Sequence, residues 1–270
     1  MTDVLEQIDG WGAANATAVV SDRTGVVERH GDTGHTYAVA SLTKLATALA
    51  TLVAVEEGAV ALDEPAGPQG ATVRHLLCHA SGLDFDSDRV LAPPGTRRIY
   101  SNTGYEQLAA HVEQRSGIAF EEYLHDAVLA PLEMAGAALR GSPAKDLHAN
   151  ADDLTRFAAE LLAPQLIHDS TWAEATRPQF PELAGVLPGW GRQDPCPWGL
   201  GPELRGTKSP HWTGATAPPD TFGHFGGSGT FLWVDPGRGL ACLVLTDRAF
   251  GDWAVGVWPD FSDLVRGRFG

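Results

Sequence analysis

The sequence predicts an α+β fold in which strands from both ends of the chain build one antiparallel sheet, flanked by helices and carrying a helical insert. Three observations predict it. Runs of β-branched residues around tight turn signals occur near both ends, in ATAVVSDRTGVVERHG (16–31) and in TFLWVDPGRGLACLVLTD (230–247). Between them the apolar residues follow helical spacing, broken by proline and glycine. No repeat, low-complexity tract or linker divides the 270 residues, so one domain accounts for the length. The expected division is a sheet part, residues 1–58 and 196–270, and a helical part, 59–195.

Taken in order, residues 2–10 read as a short helix, and the D-R-T-G turn after it joins the two strands of a first hairpin. From Leu42 to Glu57 apolar residues fall all round a helix that Gly58 ends, which predicts an enclosed, central helix. ATVRHLLCHASGL, TGYEQLAAHVEQRSG, AFEEYLHDAVLAPLEM and ADDLTRFAAELL supply the helices of the middle. Beyond Pro188 the texture turns to loop and short strand. A second hairpin follows, its strands joined by D-P-G-R, and DWAVGVWPDFSDLVRGRF closes the chain as a helix.

Composition narrows the function. Nineteen basic against 34 acidic residues give a net charge of −15 and a pI near 4.9. Such a surface repels phosphate backbones and anionic headgroups, which argues against nucleic-acid and membrane partners and mostly signals solubility. The longest apolar run, Leu45 to Val55, is too short to span a bilayer. The N-terminus has no positive leader region, and Cys78, Cys196 and Cys242 make an odd set without a CxxC pair. The expectation is a cytoplasmic protein without disulfides or cofactor, of undetermined oligomeric state.

Three motifs carry chemistry. S-x-x-K occurs twice, as SLTK at Ser41 and SPAK at Ser142. Ser142 lies between glycine and proline in a polar stretch and reads as a turn. Ser41 stands between TYAV and the enclosed helix, where Ser41 and Lys44 share a face and the helix N-terminus stabilises a developing oxyanion. By itself this motif fits equally an N-cap serine with a snorkelling lysine. In RRIYSNTGYEQL, an extended backbone sends Tyr100 and Asn102 to one side. A lysine ammonium beside the phenol lowers its pKa, which suits a general base. Thr103 with Glu106 forms a capping box that leaves Asn102 free. In TFGHFGGSGTFLWVDP, glycines around His224 let a substrate lie close to the backbone, with the Gly227 and Ser41 amides as an oxyanion hole; a plain glycine-rich turn is the alternative.

Together, Ser41-Leu42-Thr43-Lys44, Tyr100-Ser101-Asn102 and His224-Phe225-Gly226 resemble the serine β-lactamase and penicillin-binding-protein superfamily in order and spacing. HLLCHASGLD and PPG…YSN resemble its class C, esterase-containing branch, and the resemblance runs from about Tyr37 to about Asp247. It implies a β-lactamase/transpeptidase-like fold and a serine hydrolase working through an acyl-enzyme. Ser41 would be the nucleophile, Lys44 would hold its proton network, and Tyr100 would be the base or the donor to the leaving group. Asn102 would orient Lys44 and the substrate carbonyl, with His224, Gly226 and Gly227 at the substrate and oxyanion site. His224 stands where many relatives carry lysine, and the chain is short for that branch. Both departures favour small esters; β-lactamase or D-amino-acid peptidase activity is the alternative, and a non-catalytic binder is the alternative of another class.

Other patterns carry less. HLLCH sets His75, Cys78 and His79 together, but Leu76 stands where a zinc protease needs glutamate, so no metal site is expected. No serine lies in G-x-S-x-G. HWTG at His211 has Thr213 where the third motif needs glycine. The eight tryptophans are scattered and read as core and pocket lining.

Overall fold

The computed structural model describes residues 4–270. Its centre is a six-stranded sheet of order β2-β1-β11-β10-β9-β8, every neighbouring pair antiparallel. In chain order the strands are β1 (Ala16–Asp22), β2 (Gly25–His30), β3 (Tyr37–Ala38), β4 (Ala138–Leu139), β5 (Leu147–Ala149), β6 (Gly185–Leu187), β7 (Gly191–Gln193), β8 (Glu203–Leu204), β9 (Phe222–Gly226), β10 (Thr230–Asp235) and β11 (Leu240–Thr246). The helices are α1 (Thr43–Glu56), α2 (Val73–Leu77), α3 (Asn102–Ser116), α4 (Phe120–Leu124), α5 (Ala151–Leu162), α6 (Asp169–Ala175) and α7 (Asp252–Phe269). Strands β3, β5 and β4 form a small second sheet, and β6 with β7 a two-stranded ribbon.

Both expected hairpins are present, and β1 pairs directly with β11 from Ala16↔Thr246 to Asp22↔Leu240. The central strands read as continuous apolar runs because both sheet faces are covered. Val19, Leu232, Val234, Leu243 and Leu245 face the core shared with α1. Their neighbours Val20, Phe231, Trp233, Cys242 and Val244 face a second core under α7, filled by Trp212, Trp258 and Phe261. The alternation is the two-residue period of a strand.

Helix α1 is the enclosed one: eleven of its fourteen residues are buried, Lys44 among them. The chain then leaves through Gly58 at φ +74°, a left-handed position that favours glycine. Four details differ from expectation. The first helix is a 3-10 segment, Leu5–Trp11, with residues 2 and 3 outside the described part. AFEEYLHDAVLAPLEM is α4 followed by a π turn, His125–Leu129. The glycine-rich run at 222–226 is itself a strand, with Phe225 opposite Phe231 in β10. Helix α3 is capped by Ser101, not Thr103: the Ser101 hydroxyl accepts from Gly104 N at 2.9 Å and donates to Asp84 O at 2.6 Å. Glu106 then accepts from Ser142 Oγ at 2.7 Å instead of closing a capping box.

All three cysteines are free and buried. Among the described residues no helix is long and apolar enough to cross a membrane, and no group of three or more His, Cys, Asp or Glu could hold a metal ion.

Candidate active site

Five pieces of chain meet at the head of α1: residues 39–44, the loop around Asp86, residues 100–102, the turn 142–145 and strand β9. Ser41 sits in a 3-10 turn, Ala40–Leu42, that runs straight into α1. Ala40 is held at φ +47°, a costly conformation for a residue with a Cβ. Two hydroxyls fix this turn. Thr43 Oγ1 donates to Ala40 O at 2.6 Å, and Thr230 Oγ1 to Val39 O at 3.0 Å. Strand β9 presses on the same turn: a Cβ at Gly226 would lie 2.5 Å from Val39 O and from Thr230 Oγ1. Gly226 is therefore required by close packing beneath the serine.

Lys44 is completely buried. Its Nζ donates to Asn102 Oδ1 at 2.6 Å, to Ala144 O at 2.9 Å and to Ser41 Oγ at 3.4 Å, and lies 4.7 Å from the Tyr100 ring centre. No carboxylate pairs with it among the described residues. Burial therefore dominates and pulls its pKa down to about 7; Lys145 adds to the effect, while Asp86 and Glu106 oppose it. Near neutral pH a large fraction of this amine carries a free lone pair, 3.4 Å from a serine hydroxyl. That is the arrangement a general base needs.

Tyr100 corrects the sequence reading. Burial pushes its phenol well above the usual range, although a hydrogen bond with Ser41 opposes this. A buried phenol beside a partly neutral amine loses much of the charge stabilisation that would have lowered its pKa, so the Tyr100 hydroxyl keeps its proton. His224 is placed to accept a hydrogen bond from that hydroxyl. Its Nδ1–H donates to Phe225 O at 2.7 Å, which leaves Nε2 as acceptor for the Tyr100 hydroxyl at 3.4 Å. Burial, aided by Lys44, lowers the His224 pKa to about 4, so the imidazole is neutral.

The structure thus joins Ser41, Lys44, Tyr100, Asn102 and His224 through direct contacts. Gly227 and Ser41 line one cavity of about 170 Å³, walled by Tyr100, Trp198, Phe225 and Phe250. Four contributors were not apparent from sequence. Asp86 accepts from Asn102 Nδ2 at 2.8 Å and so turns the Asn102 oxygen toward Lys44. The second S-x-x-K is indeed a turn, yet its Ala144 carbonyl is a ligand of the Lys44 amine. Trp198 forms the wall facing Tyr100 and His224. Behind Trp198, Glu203 is buried against Lys208, His211 at 3.0 Å and Trp212 Nε1 at 2.9 Å. His211 belongs to this cluster and does not line the cavity. His75 and His79 diverge: His75 bonds Thr72 Oγ1 at 2.8 Å, while His79 lies under Tyr100 with ring centres 4.4 Å apart.

Comparison with known proteins agrees with this fold. A β-lactamase from Mycobacterium bovis (Mb2281c) is 51% identical and superposes with a TM-score of 0.97, covering 99% of both chains. Simvastatin synthase (LovD6 mutant) from Aspergillus terreus shares the fold at 15% identity, with a TM-score of 0.79 over 98% of this chain and 93% of that one. Penicillin-binding protein 4* of Bacillus subtilis (strain 168) is 29% identical over 38% of this chain, a match spanning only 30% of that protein's length. The sequence profile of the family described as Beta-lactamase matches residues 7–264, and the chain belongs to the β-lactamase family of serine hydrolases.

Proposed function

We propose that this protein is a carboxylesterase for small esters, working through an acyl-enzyme on Ser41. The observation that carries the reading is the contact of Ser41 Oγ with a buried, unpaired Lys44 amine whose pKa lies near 7. Lys44 Nζ takes the hydroxyl proton as Ser41 Oγ attacks the ester carbonyl, and the oxyanion is held by the Ser41 and Gly227 amides. When the tetrahedral intermediate collapses, the C–O bond to the alcohol breaks and Tyr100 gives its proton to the departing alkoxide. The Lys44 ammonium returns a proton to Tyr100. Water then attacks the acyl-enzyme by the same route in reverse and releases the acid.

Esters are favoured over β-lactams by the electrostatics of the cavity. A β-lactam or peptide substrate carries a carboxylate that a cation must neutralise. His224, the residue at that position, is buried and neutral. The cavity around Ser41 is mostly apolar, which suits an uncharged ester group at the reacting carbonyl. The second reading, β-lactam hydrolysis, is favoured by the name of the 51% identical relative.

One experiment separates them. Wild type and Ser41→Ala are incubated with a fluorophosphonate, p-nitrophenyl acetate and a chromogenic cephalosporin, and mass and absorbance are followed. Labelling and acetate turnover that vanish in Ser41→Ala are the expected result. Cephalosporin turnover without ester turnover would replace the proposal by the second reading. No adduct with any reagent would leave a non-catalytic binder.

A further inference from the structure

The catalytic cavity opens into a second, larger cleft of about 540 Å³, and the two share Phe85, Tyr100, Val186 and Pro188 as walls. Among the described residues eight large apolar side chains are exposed, and three of them, Phe85, Leu91 and Val186, line this cleft. Solvent-exposed apolar groups gathered at the mouth of a cavity mark a surface that an apolar ligand covers. Its walls are anchored to the site. Phe85 O accepts from Asn102 N at 2.7 Å, Leu91 N donates to Gly82 O at 2.8 Å, and Arg98 N donates to Ala184 O at 2.9 Å.

Charge in this cleft runs against the rest of the molecule. The chain has 34 acidic and 19 basic residues, yet among the described residues no acid lines the cleft, while Arg97, Arg98 and Arg192 do. Arg98 is buried and spends its guanidinium on the carbonyls of Cys78, Gln179, Phe180 and Cys196. Arg192 pairs with Asp194 at 2.8 Å. Arg97 has no ion-pair partner among the described residues and is exposed. Only Arg98 and Ile99 separate it in sequence from Tyr100, which walls both the cleft and the catalytic cavity.

We propose, resting on the esterase reading, that the substrate is an ester with an apolar stem ending in a carboxylate. The ester carbonyl sits at Ser41, the stem lies along Phe85, Leu91 and Val186, and the carboxylate meets Arg97. One free guanidinium balances one negative charge, which matches a carboxylate better than a dianionic phosphate.

The test compares p-nitrophenyl octanoate with mono-p-nitrophenyl suberate, equal in chain length and differing only in the terminal carboxylate. Wild type should favour the suberate ester by about fivefold in kcat/KM, the upper range for an exposed ion pair, with the difference in KM. In Arg97→Gln the order should reverse, because the carboxylate then lies on an apolar wall without a partner. Arg97→Lys should keep most of the preference, and thermal melting confirms that both variants fold. Equal or opposite preference in wild type, or a preference surviving Arg97→Gln, would overturn the proposal. Calorimetric binding of both esters to Ser41→Ala repeats the comparison without turnover. An enzyme inert to all esters ends the esterase reading. In that case a fivefold difference in Kd still supports the carboxylate site, and equal Kd values overturn it.

Discussion

If Lys44 is the base, the rate of Ser41 acylation must follow its titration. A base acts when deprotonated, so the second-order rate of fluorophosphonate labelling should rise with pH. It should be half-maximal near 7, where burial places the Lys44 pKa, and level above about 8. Two units below the midpoint only about 1% of the amine is free, so labelling at pH 5 should be roughly a hundredfold slower than on the plateau. His224 titrates at about 4 and adds no second limb in this range. Two substitutions then move the midpoint in opposite directions. Asp86 favours the ammonium, so Asp86→Asn should lower the midpoint while keeping the oxygen that accepts from Asn102. The path from Lys44 Nζ through Asn102 to Asp86 comprises contacts of 2.6 and 2.8 Å with the amide between. A separation of roughly 6–7 Å gives about 0.6 kcal/mol in water and about 2.5 kcal/mol at an effective dielectric of 20. Asp86 is half exposed, which favours the weaker limit and a shift of about 0.5–1 pH unit. Lys145 disfavours the ammonium, so Lys145→Gln should raise the midpoint. A profile flat between pH 5 and 9, or a shift of both variants in one direction, would refute Lys44 as the base.

Three further outcomes test other parts of the site. Tyr100→Phe should slow hydrolysis of an ethyl ester by about 10²–10⁴, the worth of a general acid, yet slow a p-nitrophenyl ester far less, because p-nitrophenolate leaves without a proton; equal losses on both would assign Tyr100 another role. Gly226→Ala sets a methyl 2.5 Å from Val39 O, so labelling of Ser41 should drop sharply while thermal stability falls by about 1–3 kcal/mol; unchanged labelling would show that the turn does not depend on that contact. Glu203→Gln leaves Lys208 buried beside a neutral amide, costing about 3–5 kcal/mol, or roughly 6–20 °C in Tm by calorimetry; a shift under 2 °C would contradict it.

The order of Ser41, Lys44, Tyr100 and His224 was legible because these residues sit in short local patterns, and the sheet was legible because its strands are uninterrupted apolar runs. What escaped depends on partners distant in sequence. Ser101 and Thr103 are both competent caps by local rules, and Ser101 takes the position with Asp84 O, seventeen residues away, as an added partner. Asp86 and the Ala144 carbonyl belong to no motif and reach Lys44 only through the fold. The direction of the Tyr100 shift was misread for a related reason. A neighbouring amine is visible in the sequence, but the depth of burial that pushes the phenol pKa up and the amine pKa down is not.

The pairing of β1 with β11 sets a schedule for synthesis. Asp22 meets Leu240, its neighbour in the sheet, about 220 residues later, an interval of roughly 10–45 s at ribosomal speed. Throughout that wait the amino-terminal hairpin has a bare edge, and the turn bearing the nucleophile lacks the strand that braces it from below. A nascent chain interrupted before β9 therefore cannot acylate, and the appearance of labelling during translation would time the arrival of the last hairpin.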